Sequence, residues 1–184
     1  MTPRIEVVPQ HARVDEMVSL RLIGFPIGHH VTLRPRMASY LGSTWESQAT
    51  FLTDTEGSVD VSTQQPFSGT YAQVDPMGLF WSMVSPVDAE LADTLPESAT
   101  PLRVQFAEIA VHRLQRRGFG FPVKQLSYHG ASHLVVTPPY LPTTLNHARH
   151  PVAKLDFAFG GSPADEAFAR SDSWARVVAF LRSR

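Results

Sequence analysis

The stretch SYHGASHLVVTPPYLPT, residues 127–143, holds the side chains best suited to chemistry. A predicted strand ends there in a small-residue turn, the turn presents His133, and a proline-rich segment carries the backbone away. An imidazole displayed in this way is a candidate catalytic base. A hydroxyl nucleophile needs such a base within hydrogen-bond reach, and the base needs an acid to orient it. His133 is therefore the candidate catalytic residue, and the rest of the chain must say what it serves.

A serine nucleophile of this kind sits on a G-x-S-x-G elbow, with the acid next in the chain and the histidine last. Gly130-Ala-Ser132-His133-Leu134 begins that pattern but ends in leucine. Its serine abuts the histidine, and neighbouring side chains in an extended loop point apart. Ser132 is thus a poor relocated nucleophile, and the elbow is absent. His129, His133, His147 and His150 suggest a metal reading, but there is no H-E-x-x-H, and no metal or other cofactor is expected. With no cysteine, thiolate zinc sites, disulfides and a cysteine nucleophile are excluded.

The elements that must position these residues fall into two textures across 184 residues, enough for one full core or two small ones. Up to about residue 101 the chain alternates. MVSLRLIG puts Val18, Leu20 and Leu22 on one face, HHVTLRPRM adds Val31 and Leu33, and TWESQATFL adds Trp45, Ser47, Ala49 and Phe51. Asp54-Thr-Glu-Gly57 reads as a hairpin turn into SVDVS. With GLFWSMV and PLRVQF, about seven short strands are predicted, the spacing of an immunoglobulin-like β-sandwich. Phe80 and Trp81 read as core or domain-interface packing.

From residue 105 the period changes. FAEIAVHRLQRRG has helix spacing at 106, 109, 110 and 114, with Arg113, Arg116 and Arg117 at its polar end and Gly118 as a terminating residue. Val123 to Tyr128 reads as a strand. Ser162-Pro163-Ala164-Asp165 opens a final helix with an N-cap, a proline at the first position and an acid at the third. In that helix Trp174, Val177, Val178 and Leu181 line one face, and Asp172 faces solvent. Helix, strand, loop and helix are the closing part of an α/β architecture.

Composition sets the remaining bounds. The chain is 43% hydrophobic and 18% charged, with a formal net charge of −1, so no basic footprint points to nucleic acid. No apolar run approaches the ~20 residues of a membrane span, and residues 1–10 carry no signal-like apolar region, so the cytoplasm is expected.

Several strings resemble the acyl-CoA thioesterase / bile acid-CoA:amino acid N-acyltransferase family. They are residues 14–33, WESQATF, and above all YAQVDPMGLFWSMVSP (71–86). Toward the other end they are FAEIAVHRL, LSYHGASHLVVTPPYLPTT and SDSWARVVAFL. The resemblance implies an amino-terminal β-sandwich over 1–104, then a truncated carboxy-terminal remnant of an α/β-hydrolase domain over 105–184. It places His133 on the family's catalytic histidine and implies acyl-CoA as substrate or ligand. Between Arg103-Val104 and Phe106 the family carries most of its hydrolase domain, including the nucleophile elbow and triad acid; here the two ends join directly. Asp156, Asp165 and Asp172 follow His133, the wrong order for that acid, and the family usually has glycine where Ser132 stands. The implied activity is acyl-CoA thioester hydrolysis, impaired or lost, with a non-catalytic acyl-CoA-binding or interaction module as the alternative. The Pro138-Pro139-Tyr140 run fixes backbone at low entropy and could line an acyl tunnel in a whole enzyme; here it is expected just to route the loop. A strand at 123–128 without the rest of its parallel sheet leaves the tail to pack its helices on the sandwich or to expose apolar surface.

Overall fold

A computed structural model describes residues 2–38, 44–85, 102–132, 134–135, 137–144, 147–149, 152, 154 and 156–183. Small antiparallel sheets dominate, with few helices. β1 (Arg4–Val8), β2 (Ser19–Ile23) and β7 (Val59–Asp60) pair in the order β1-β2-β7. β3 (His30–Leu33), β6 (Ala49–Leu52) and β8 (Ser68–Gly69) pair in the order β3-β6-β8. β4 (Arg36–Ala38) and β5 (Thr44–Glu46) form a separate pair, with Met37 opposite Trp45.

The alternation seen in the sequence is what builds the core. Leu22 and Val59 from the first sheet join Ala49 and Phe51 from the second, together with Val61, Tyr71, Met77, Leu79 and Trp81. Val18, Leu20, Val31 and Leu33 pack around them, partly buried. Successive strand residues face opposite sides, so burying Ala49 and Phe51 leaves Leu52 exposed.

Three expectations from the first half change. TWESQATFL is two strands broken at Ser47-Gln48, although Ser47, Ala49 and Phe51 are all buried as its alternation requires. The Asp54–Gly57 turn forms, with Gly57 N–H donating to Asp54 O and Asp54 Oδ1 accepting from Glu56 and Ser58 N–H. It links strands of different sheets, however, so it is a crossover and not a hairpin. GLFWSMV is not a strand: Gly78–Trp81 is a short helix, α1. Asp75 accounts for this, since its two carboxylate oxygens accept from Met77 N–H and from Trp81 Nε1–H, winding the chain back on itself. A side chain at Gly78 would lie 2.3 Å from the Tyr71 ring, so this tight approach requires glycine.

In the second half the expected strand PLRVQF is helical over 102–106, not extended: α2 runs Leu102–Arg116. It ends as its sequence predicts. Gly118 has φ +62, its N–H reaches Gln115 O, and Phe119 N–H reaches Leu114 O, the paired bonds of a Schellman terminus. Val123–Tyr128 forms no ladder among the described residues, so the predicted strand is only an unpaired segment. Its pattern suits a strand, but a strand needs a neighbouring backbone to satisfy its N–H and C=O groups. Among the described residues, β9 (His147–Arg149) and β10 (Asp156–Ala158) pair only with each other.

The last helix, α3 (Pro163–Arg182), has Ser162 as N-cap and Pro163 at its first position. Its first half packs inward, and Trp174 Nε1–H donates to Asp15 of the first half at 3.4 Å. Its distal apolar face does not pack as the sequence suggests, since Val177 and Leu181 are exposed. Ile109 of α2, Phe119, Phe121, Val123 and Leu126 are exposed as well. The tail thus follows both expected routes, one end packed and the other bare. No described helix is long and apolar enough to cross a membrane.

Candidate functional site

The turn around position 133 is built against the start of α3. Ser162 N–H donates to Gly130 O at 2.9 Å, and Ser132 N–H donates to Glu166 Oε2 at 2.6 Å. Two glycines allow the approach. A Cβ at Gly161 would lie 2.7 Å from Ser132 N, and one at Gly130 would lie 2.2 Å from Asp165 Oδ2. Both also have positive φ, a conformation glycine adopts at little cost. Beyond the turn, Leu134 N–H donates to Ser132 Oγ, and Leu134 O accepts from Thr137 N–H and Oγ–H. His133 itself lies outside the described residues.

Beneath the turn is a buried polar network. Glu166 and Arg170 are 1% and 3% exposed, and Arg170 Nε donates to Glu166 Oε1 at 2.8 Å. A second Arg170 nitrogen reaches Pro142 O at 3.3 Å. The next residue, Thr143, is also buried: its N–H donates to Trp81 O, and its hydroxyl lies 2.7 Å from Pro163 O and 3.3 Å from Trp81 O. Thr144 Oγ donates to Met83 O. The network therefore ties the turn, the proline-rich segment, α3 and the core residues Trp81 and Met83 into one unit.

A second cluster lies further along α3. Asp172 Oδ2 accepts from Tyr128 OH and from Arg176 Nε, each at 2.6 Å, so Asp172 does not face bare solvent as its sequence position suggests. Arg176 first, then Tyr128, holds the Asp172 carboxyl below its ordinary range. Desolvation, then the hydrogen bond to Asp172, pushes the Tyr128 phenol up to about 12. In the core, burial and then the Asp75 carboxylate push Tyr71 to about 12 as well.

The other sequence candidates are placed as follows. Ser132 Oγ accepts from Leu134 N–H, and no described base contacts it. Gly160-Gly161-Ser162-Pro163-Ala164 also begins an elbow pattern, but it ends in alanine. Its Ser162 hydroxyl caps α3, accepting from Asp165 N–H and donating to Asp165 Oδ2. His129 is exposed on the turn; His147 lies on β9, and His150 is outside the described residues. Among the described residues no group of three or more His, Asp or Glu could hold a metal. Trp81 is core, as its sequence context suggests, and Phe80 packs beside it. Tyr140 packs on the same core with φ +66, so the Pro138-Pro139-Tyr140 run does more than route the loop. Sequence reasoning missed Glu166, Arg170 and Thr143. The Glu166–Arg170 spacing of four is the signal that was available, and it fits an exposed helical pair equally well.

An apolar cleft of about 330 Å³ lies at the opposite end of α3 from Ser132, between Lys124 and Leu126 on one side and Val177, Ala179 and Phe180 on the other. Chemically, the described residues around the turn supply a buried carboxylate, a guanidinium and hydrogen-bonded hydroxyls. They do not supply an activated nucleophile.

Comparison with known proteins matches both halves. The family model described as acyl-CoA thioester hydrolase/BAAT N-terminal region covers residues 15–118. The one described as BAAT / acyl-CoA thioester hydrolase C terminal covers residues 101–184. Mouse acyl-coenzyme A amino acid N-acyltransferase 1 is 35% identical over 83 residues, 45% of this chain and 20% of the relative. Mouse acyl-coenzyme A thioesterase 5 is 29% identical over 84 residues, again 45% and 20%. Human acyl-coenzyme A thioesterase 1 is 28% identical over 98 residues, 53% of this chain and 23% of the relative. The matched stretches thus span about a fifth of the length of these curated relatives.

Proposed function

Because the chain belongs to the acyl-CoA thioester hydrolase/BAAT family, we propose that it is an acyl-CoA-directed protein of the thioester hydrolase type whose turnover is impaired. The observation that carries this reading is the join. The amino-terminal and carboxy-terminal family regions meet at residues 101–118, and no G-x-S-x-G occurs anywhere in the chain. On this reading residues 1–104 are the family's β-sandwich and 105–184 the end of its α/β-hydrolase domain, with His133 at the catalytic histidine.

In a complete site a serine would attack the thioester carbonyl, the imidazole would take its proton, and backbone amides would hold the oxyanion. Here the base remains without a nucleophile or an orienting acid. Triad members act as a unit, so the isolated base retains little of their combined rate. Acyl chains can still bind, but binding that does not favour the transition state leaves turnover low. We place the protein in the cytoplasm. The test is hydrolysis of palmitoyl-CoA by the purified chain against an equal concentration of free imidazole. The expected rate is within about tenfold of imidazole, a margin that allows for proximity. A rate far above that, lost in His133→Ala, contradicts the impairment.

A second reading, a non-catalytic acyl-CoA-binding or interaction module, is favoured by the bare apolar surface of Phe119, Phe121, Val123, Val177 and Leu181. Saturable acyl-CoA binding with no turnover supports it.

A further inference from the structure

The geometry points to Glu166 as the positioning residue for the turn that carries His133, with Arg170 holding Glu166 in place. The inference builds on the placement of His133 at the catalytic position, but its structural content stands apart from any activity.

Glu166 is a carboxylate at 1% exposure on the first turn of α3. A charge removed from water is costly unless it is paired and hydrogen-bonded. Both oxygens of Glu166 are so engaged, Oε1 with Arg170 Nε at 2.8 Å and Oε2 with Ser132 N–H at 2.6 Å. A short bond from a backbone N–H to a carboxylate is of the charge-assisted, stronger kind. It falls on the residue immediately before position 133. On the far side, Leu134 is fixed by its bond to Ser132 Oγ and by Thr137. The backbone is therefore held at Ser132 and at Leu134, and among the described residues Glu166 is the side chain from a separate element that does the holding.

Both bonds of Glu166, to the Ser132 amide and the Arg170 guanidinium, act on the backbone before position 133 and on α3 itself. Arg170 extends the device. Its reach to Pro142 O, one residue before the Thr143 bonds to Trp81 O and Pro163 O, references the turn to the amino-terminal core. Ser162 and Asp165 complete the seat from the same helix end, but they contact Gly130 and not the residue next to His133.

The test is amide hydrogen exchange by NMR on Glu166→Gln in the full chain. Glutamine keeps the shape but can accept from only one of the two donors. Ser132 exchange is expected to accelerate about 10- to 100-fold, the loss of one charge-assisted bond, while amides of the β3–β6 ladder keep their protection. The imidazole signal of His133, assigned with His133→Gln, is expected to shift in Glu166→Gln and to stay put in Asp15→Ala, which removes the acceptor of Trp174 Nε1–H on the same helix. Ser132 exchange that is unchanged, or that rises only in step with the β3–β6 ladder, overturns the assignment. If Glu166→Gln does not fold, Arg170→Lys is read by the same criterion, since lysine keeps the charge but lacks the planar fork. Should the wild type hydrolyse palmitoyl-CoA, kcat falls at unchanged KM in Glu166→Gln. Should it not, as the impaired-turnover reading expects, the exchange result alone decides the positioning role.

Discussion

Replacing Arg170 by methionine removes one partner of a buried ion pair and leaves the other. Arg170 is 3% exposed and Glu166 1%, so Arg170→Met strands a carboxylate that water cannot reach. Breaking such a pair costs about 3–5 kcal/mol, and the freed Pro142 carbonyl adds to it. Glu166 keeps its bond from Ser132 N–H, which places the expected loss toward the lower end. The double variant Glu166→Leu/Arg170→Met removes both charges, and an apolar pair of similar volume is often neutral in itself. What remains is an unsatisfied Ser132 N–H, at about 1–3 kcal/mol, together with the same freed Pro142 carbonyl as in the single variant. The double variant is therefore expected to be more stable than Arg170→Met alone. Urea unfolding of the three proteins, with m-values compared to keep the reference state constant, reads the difference. An Arg170→Met loss within about 0.5 kcal/mol, the range of ordinary surface changes, would refute the burial of the pair. A double variant weaker than the single would refute the stranded-charge account.

Phe51→Ala empties the centre of the amino-terminal core and is expected to cost about 3–5 kcal/mol by the same unfolding assay. Gly118→Ala meets open space and carries only the left-handed backbone penalty, about 1–2 kcal/mol; Gly161→Ala adds a 2.7 Å approach to Ser132 N and is expected to cost more. Tyr128, with its folded pKa raised to about 12, binds its proton more tightly when folded. Its contribution to stability is full below the ordinary tyrosine pKa and is lost as pH rises from about 10 to about 12. Tyr128→Phe should flatten the alkaline stability profile in that window, seen by thermal melts at successive pH. Limited chymotrypsin digestion is expected to cut first at Phe119 and Phe121, both exposed, while Phe51 is protected; equal cutting at both would count against the unequal packing of the two halves.

Much of this was legible because certain residues admit few structures. Ser162-Pro163 with Asp165 fits a helix start and little else, and Gly118 fits a helix end. The Val59/Val61 and Ala49/Phe51 alternations fix which faces turn inward, since a slip of one residue would expose both sets. Other elements depend on contacts that a linear pattern does not carry. GLFWSMV is apolar without a period, and its helical turn follows from the two bonds of Asp75 and the packing of Gly78 under Tyr71. Residues 102–106 extend α2 where local alternation suggests a strand, and β1 lies in a segment whose exposed Ile5 and Val8 give no core signal. Val123–Tyr128 has a strand's composition, but pairing is a property of two segments. At the site, the small-residue turn around position 133 and the prolines after it were visible in the sequence. The Glu166–Arg170 pair was not, because its burial is decided by residues 130–143 folding over it.

The proposed reading rests most heavily on the chain lacking an activated serine. Treating the purified chain with a fluorophosphonate probe and locating adducts by mass spectrometry tests this directly. No serine, Ser132 and Ser162 included, is expected to label stoichiometrically. Stoichiometric labelling of any serine, abolished together with palmitoyl-CoA turnover in His133→Ala, would contradict it.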